Sequence, residues 1–291
     1  IIIPFRVLNS TKLYQKLWSD KGSPLLFHLQ ECAQKLQQIL GENEYKVFYA
    51  MRYGNPSLEY VLKKVQKESA RKLIIVPLYP QYASSSSGSC IQKILEEIKS
   101  WQAFPEIIIK GQFYYNENYI ESVVDSLQGK NVSDYDHVLF SYHGLPERQL
   151  DKTYISSSLC ADNNCEKEVT DENYFCYKSA CYETTRLLVK QLQLKPNQYS
   201  IAFQSRIGKG WITPYSDKIV AELAQRGMKK LLVFSPSFVA DCLETTVEVG
   251  QEFAEIFKEH GGEQLDLVES LNSNDSWVAT LHKIVLEYQK N

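Results

Sequence analysis

Short β-rich runs alternate with longer amphipathic stretches along almost the whole chain, and that alternation excludes most architectures. The pattern predicts a helix over 24–40, a strand over 45–52, a helix over 57–70 and a strand over 73–78. A helix from the Ser84 turn to Trp101, a strand over 107–110, a helix over 119–127 and a strand at Val138, Leu139 and Phe140 complete a first series. The second series has strands over 200–204 and 231–234 and helices over 177–193, 214–226, 243–260 and 277–289. Strands that alternate with helices pair in parallel, because each crossover helix returns the chain to the same end of the sheet, and helices then cover both faces. A length of 291 residues suggests two such units, with the boundary near 129–132.

A formal charge of -3 with no Lys/Arg tract argues against nucleic acid as the partner, since phosphate binding needs a concentrated basic face. No apolar run approaches the roughly 20 residues that span a bilayer, so the chain reads as cytoplasmic. Its opening, Ile1-Ile2-Ile3-Pro4-Phe5, has no Met and begins mid-pattern, which reads as an incomplete N-terminus. No G-x-G-x-x-G or Walker-type loop follows a strand, and nucleotide binding loses support accordingly.

Chemistry concentrates in a few segments. His143 stands where the strand at 138–140 gives way to Gly144-Leu145-Pro146, a strand end where open α/β sheets carry their sites. An imidazole there either moves protons near neutral pH or merely caps the turn. Ser84 to Ser89, between a strand and a helix, suits an anion or simple capping. Glu244, Glu248 and Glu252 recur at helical spacing; stacked like charges are mildly unfavourable, so the ladder is either a divalent-metal site or a solvated acidic face. Arg52-Tyr53 and the segment from Phe203 to Trp211 put Arg and aromatic residues at strand ends, as a planar acidic ligand requires and as ordinary rim residues also do. Cys160, Cys165, Cys176 and Cys181 are spaced C-x4-C-x10-C-x4-C, whereas Cys32, Cys90 and Cys242 are scattered. In a cytosolic chain such a group points to metal before disulfides.

Taken in order, Ser141-Tyr142-His143-Gly144-Leu145-Pro146-Glu147-Arg148, Phe203-Gln204-Ser205-Arg206, Tyr79-Pro80-Gln81-Tyr82 with its Ser-rich turn, and Asp241-Cys242-Leu243-Glu244-Thr245 resemble the ferrochelatases, which insert ferrous iron into a porphyrin to make haem. The resemblance covers nearly the whole chain and implies an α/β fold of two Rossmann-like, chelatase-type domains, each a parallel sheet flanked by helices, with the active site in the cleft between them. The expected division is 1–130, 131–265 with a cysteine-bearing insertion at 155–181, and a C-terminal strand and helix at 266–291 that pack back on the first domain. By position, the resemblance makes His143 the active-site histidine, Glu244 its facing carboxylate and Asp241 a supporting one. Glu248 and Glu252 look like an acidic path for metal or protons, so that His143, Glu244, Glu248 and Glu252 are the expected iron contacts. Arg52, Tyr53, Tyr82, Ser89, Trp211 and Phe238 match porphyrin-lining positions. Two departures stand out: the family's opening strand and its Leu-x-Asn-x-Gly-Thr-Pro-like turn are absent, and the segment before Trp211 is one residue short.

Some bacterial members carry a [2Fe-2S] cluster on four cysteines in this place, which makes the cluster the expected cofactor of Cys160, Cys165, Cys176 and Cys181. A four-thiolate zinc site, or disulfides and free thiols, are the alternatives. Fe²⁺ is then substrate rather than cofactor, and porphyrin the organic partner, either protoporphyrin IX or a relative such as coproporphyrin III. An apolar substrate is compatible with contact at the inner-membrane surface, though no basic amphipathic helix compels it. Competing functions are a cobalt or nickel chelatase of the same fold and a tetrapyrrole-binding or iron-sensing protein.

Overall fold

In the computed structural model, which describes residues 17–154 and 166–289, local capping chemistry sets the helix boundaries. Pro24 opens α1 (Pro24–Leu40) and Gly41, at φ +75°, closes it; a ring-locked φ suits the first turn, and a residue without Cβ suits the exit. The Ser57 hydroxyl accepts from Tyr60 N at 3.2 Å to start α2 (Leu58–Lys67). Caps of this kind stabilise a helix by about 1 kcal/mol.

β1 (Lys72–Ile75), α3 (Ser89–Ile98) and β2 (Glu106–Ile109) form the first unit of sheet, a parallel pair running from Lys72↔Glu106 to Ile75↔Ile109. Val61, Leu62 and Val65 of α2 and Ile94 and Ile98 of α3 pack on it around Leu73, Ile75 and Ile107. The strand expected over 45–52 does not form among the described residues. The Gln37 side chain of α1 takes its backbone groups instead, donating to Tyr45 O at 3.0 Å and accepting from Val47 N at 2.7 Å, and only Met51 makes a bridge, to Ser57. β-propensity in 45–52 therefore meets a side-chain amide where a strand would meet a ladder.

The second sheet positions the chemistry. After α4 (Glu117–Asp125) come β3 (His137–His143), α5 (Glu147–Asp151), α6 (Tyr177–Leu192), β4 (Tyr199–Gln204), α7 (Ser216–Gln225) and β5 (Lys230–Phe234). An 11-residue π-helix (Leu243–Phe253), α8 (Ala254–Glu259), β6 (Gln264–Leu267) and α9 (Asp275–Leu286) finish the chain. The strand order is β4-β3-β5-β6, all parallel. β3 is followed by a connection to β4 on one side, and β5 by a connection to β6 on the other. Between them lies a switch point, the place where such sheets open a crevice at their C-terminal edge.

β3 is covered on both faces. Val138, Phe140 and Tyr142 join the main core with Leu188, Phe203 and Phe234, the Phe140 and Phe234 rings stacking at 5.3 Å. Leu139 points the other way, into a second cluster with Val220 and Leu223 of α7, Val249 and Phe253 of the π-helix and Phe257 of α8. Each such buried side chain contributes roughly 1.5–3 kcal/mol. The main core also takes in Cys32 and Leu36 of α1, Tyr119 and Ile120 of α4 and Trp277 of α9, and α9 packs on α1 and α4.

At the opposite end of β3 from His143, the His137 ring is 6% exposed, bonds Ser200 Oγ through Nε2 at 2.8 Å and has no partner for Nδ1 among the described residues. Burial lowers its pKa below the ordinary value. A histidine depressed in the folded state binds fewer protons there than in the unfolded chain, so its neutral form stabilises the fold above the unfolded pKa of about 6.5 and that stability is lost as pH falls. His28 shifts in the same direction and for the same first cause. His137→Gln is expected to flatten the loss of stability between about pH 7 and pH 5, read as urea midpoints across that range; an unchanged slope would remove His137 from the acid response.

Candidate active site

His143 ends β3 with its imidazole half-buried, and three backbone constraints hold it there. Its own N–H donates to Ser237 Oγ at 3.1 Å, tying it to the loop after β5 across the switch point. The next residue must be glycine: a Cβ on Gly144 would lie 2.7 Å from Gln204 O, which accepts from Gly144 N at 2.8 Å. Beyond it, Ile212 N donates to Leu145 O at 3.0 Å and Glu147 N to Gly210 O at 2.9 Å, so the turn is zipped to the 204–212 loop. Nδ1 of His143 lies 2.6 Å from Gly144 O. A carbonyl oxygen only accepts, which assigns the proton to Nδ1 and leaves the lone pair on Nε2. The ring of Phe238 stands 6.1 Å from the imidazole.

The π-helix approaches the same edge. A helix bonded i→i+5 turns more widely than an α-helix, so residues four apart fall short of a full turn and wind progressively round it. Glu244, Glu248 and Glu252 follow one another along it at a spacing of four, the first two half-buried and Glu252 exposed. Glu248 turns to the end of β4, accepting from Ser205 N at 2.7 Å, Ser205 Oγ at 2.5 Å and Gln204 Nε2 at 3.3 Å. Burial raises its pKa above the usual carboxylate value, against the pull of Ser205, Gln204 and the nearby His143. Gln204 links everything. It sits in register with His143, accepts from Ser141 Oγ at 2.7 Å and donates to the Glu244 carbonyl at 2.9 Å.

Gln204, Ser205 and Ser237 received no role from sequence. A buried Gln closing an apolar strand was the available signal for the first, since such a group needs partners; Ser205, at φ +61°, was marked only by its place in the Phe203-Gln204-Ser205-Arg206 segment, and Ser237 gave no signal.

Other expected residues fall into separate groups. Asp241 accepts from Asn272 Nδ2 at 2.8 Å and Ser270 N at 3.1 Å. Arg52 Nε donates to Ser89 Oγ at 2.9 Å, and its guanidinium lies over the Tyr53 ring at 4.5 Å, with Tyr53 itself 73% exposed. Ser89 begins α3 directly after a short π-helix (Ser84–Gly88), where a Cβ on Gly88 would lie 2.9 Å from the Tyr82 hydroxyl. Tyr82 meets Phe175 edge-on at 5.5 Å. Trp211 bridges Pro146 and packs close to Gly144. Among the described residues no three His, Cys, Asp or Glu side chains converge as a ready-made metal cage. Cys160 and Cys165 lie outside the described residues. Cys176 stands at the N-terminal boundary of α6 and Cys181 lies within it, both buried, and burial pushes the Cys181 thiol well above its ordinary range against the hydrogen bond from Tyr177.

Comparison with known proteins shows the family. The profile of the family described as Ferrochelatase matches residues 1–289. The ferrochelatase of Coxiella burnetii (strain Dugway 5J108-111) is 42% identical over 287 residues, 97% of this chain and 79% of the relative. That of Legionella pneumophila (strain Corby) is 43% identical over 291 residues, 99% and 85% of the two chains. Among solved structures, SirB from Bacillus subtilis with Fe3+ superposes with a TM-score of 0.61 at 13% identity, covering 93% of each chain. DR2241 from Deinococcus radiodurans, described as similar to chelatases, gives a TM-score of 0.54 at 11% identity over 91% of this chain and 52% of that one. These two likenesses concern the fold.

Proposed function

The chain belongs to the ferrochelatase family and inserts ferrous iron into a porphyrin to form haem with release of two protons, and we propose that His143 and the first turn of the π-helix carry the chemistry. Metal insertion requires that two pyrrole N–H protons leave as the iron enters. The observation that supports the assignment is the Nδ1 contact with Gly144 O, which in the neutral ring leaves the Nε2 lone pair of His143 free to accept a proton. Glu244, on the π-helix, guides Fe²⁺ or takes the protons onward. Glu248, its carboxyl favoured in the protonated form by burial, is suited to passing protons between the site and the exposed Glu252. Fe²⁺ stands low in the divalent affinity order, and a few carboxylates with an imidazole hold it loosely enough to release it.

Arg52, Tyr53, Tyr82, Ser89, Trp211 and Phe238 form the porphyrin-binding wall in this proposal, with the Arg52 guanidinium, steadied by Ser89, available to a propionate. The test is anaerobic turnover: porphyrin fluorescence falls on addition of Fe²⁺ as haem appears. Porphyrin bound without turnover would favour a tetrapyrrole-binding protein. No helix among the described residues is long and apolar enough to cross a membrane.

We further propose that Cys160, Cys165, Cys176 and Cys181 hold a [2Fe-2S] cluster. Cys176 and Cys181 support it by lying together at the start of α6, near enough for the Cys176 thiol to bear on the ionisation of Cys181. Ligands must be thiolates, and the buried Cys181 becomes one only beside the positive charge of a metal, so the fit requires metal and thiolate to form together. Such a cluster would supply one-electron redox chemistry; metal insertion does not run through it. Anaerobically prepared protein is expected to absorb in the visible and carry about two iron atoms per chain, both lost in Cys176→Ser. A colourless protein with stoichiometric zinc would refute the cluster.

A further inference from the structure

Asp241 stands three residues before Glu244, and its hydrogen bonds are those of a fastening. Its carboxylate accepts from Asn272 Nδ2 on one oxygen at 2.8 Å, and on the other from Ser270 N at 3.1 Å and Thr245 Oγ1 at 3.5 Å. Its backbone N–H donates to the other end of the same amide, Asn272 Oδ1, at 2.9 Å. Asn272 and Asp241 thus form a reciprocal pair, to which Asn272 adds a third bond from its own N–H to Val239 O at 2.8 Å. Asn272 reaches this position in the left-handed region, φ +51°, which Asn tolerates better than most side chains.

The loop behind the pair is held from elsewhere in the fold. Cys32 Sγ donates to Asn272 O at 3.0 Å, Lys35 Nζ donates to Ser273 O at 2.7 Å, and Ser273 Oγ donates to Glu31 at 2.7 Å, all three partners lying on α1. Asn274 caps α9 by accepting from Trp277 N at 2.8 Å. Asn272 therefore joins a platform built by α1 and α9 to the chain that enters the π-helix.

We propose that Asn272 is a positioning residue for iron insertion, which with Asp241 as its partner sets where the π-helix begins and hence where Glu244 stands. The proposal rests on the assignment of chemistry to the π-helix. It gives the Asp241 carboxylate a structural task, so that its charge is replaceable provided the hydrogen bonds are kept.

An exchange of the two residues tests this. Asn272→Asp alone sets two carboxylates against each other, and Asp241→Asn alone sets two amide NH₂ groups or an NH₂ and a backbone N–H in conflict. In the double variant Asp241→Asn/Asn272→Asp the side-chain bond of the pair returns with its polarity reversed, the backbone N–H of residue 241 still finds an oxygen on residue 272, and the net charge is unchanged. Under anaerobic turnover, Asn272→Asp is expected to lower kcat about tenfold or more with porphyrin KM within about twofold, since small misplacements of a reacting group are costly. The exchange is expected to restore kcat to within about threefold of the unaltered protein, a coupling no independent pair would show. Asn272→Ser, which opens the pair without adding charge, takes the place of Asn272→Asp if that variant fails to fold.

An exchange variant no more active than the worse single change would overturn the proposal and return the Asp241 charge to the chemistry. Unaltered kcat in Asn272→Asp would overturn it as well. Glu244→Gln, measured alongside, separates the two levels: full turnover in that variant sinks the assignment of chemistry to the π-helix. The pair is then judged on the unfolding midpoint, which must fall in each single variant and recover in the exchange.

Discussion

His143→Ala is expected to lose metal insertion almost completely while porphyrin still binds. The loss should be of the order of 10²–10⁴ in kcat, the usual worth of a positioned general base. The fold has little stake in the ring itself: among the described residues its hydrogen bond runs from Nδ1 to the adjacent Gly144 carbonyl, whereas the bond from His143 N to Ser237 belongs to the backbone and survives truncation. The contact most affected would be that with Phe238, whose ring lies 6.1 Å away. Binding, followed by quenching of protein fluorescence on porphyrin addition, is therefore expected to stay within about threefold, a small change beside the loss of rate. Retained turnover would sink the assignment of His143 as base. Lost binding with lost turnover would instead make His143 a wall of the porphyrin site.

Glu244→Gln should be the next most damaging change, slowing insertion about 10²-fold with the unfolding midpoint nearly constant. The variant removes the charge with little change of structure, because Gln204 Nε2 bonds the backbone carbonyl of Glu244 at 2.9 Å and the Cys242 thiol that meets the Glu244 carboxylate still finds an oxygen on Gln. Glu248 offers no such separation: its carboxylate receives Ser205 N, Ser205 Oγ and Gln204 Nε2, so altering it disturbs the end of β4 as well. The rate deficit of Glu244→Gln should appear in kcat with either porphyrin substrate, and a raised KM for Fe²⁺ with normal kcat would make Glu244 a delivery site instead.

Much of this arrangement was legible without a structure. The β3 run, His137–His143, carries Val138, Phe140 and Tyr142 on one face and Leu139 on the other, as a strand covered on both sides does, and the Gly144-Leu145-Pro146 turn announces its end. Glycine at 144 follows from the 2.7 Å approach of the Gln204 carbonyl, a requirement visible in sequence only as a glycine in a turn. The 45–52 stretch misled for a specific reason: Tyr45 and Val47 bond the Gln37 side chain, and residue-by-residue propensity has no knowledge of an amide arriving from α1. The 243–253 segment misled differently, because a spacing of four fits an α-helix and a π-helix almost equally.

What the sequence determined by itself is therefore the set of elements and the chemical types at their ends: parallel strands between helices, an imidazole after β3, carboxylates after β5, the four-cysteine spacing. Those follow from local rules of periodicity, capping and burial, each acting over a few residues. What only the tertiary structure decided is which groups meet. Strand order put β3 beside β5 and brought Ser237 and Phe238 to His143; register set Gln204 level with that histidine; and the approach of the π-helix to the end of β4 joined Glu248 to Ser205 and left Glu252 in solvent. Asn272 and Asp241, 31 positions apart, are partners for the same reason. Contacts between distant segments depend on how packed layers share a core, and that cooperative choice is written in no single stretch of the chain.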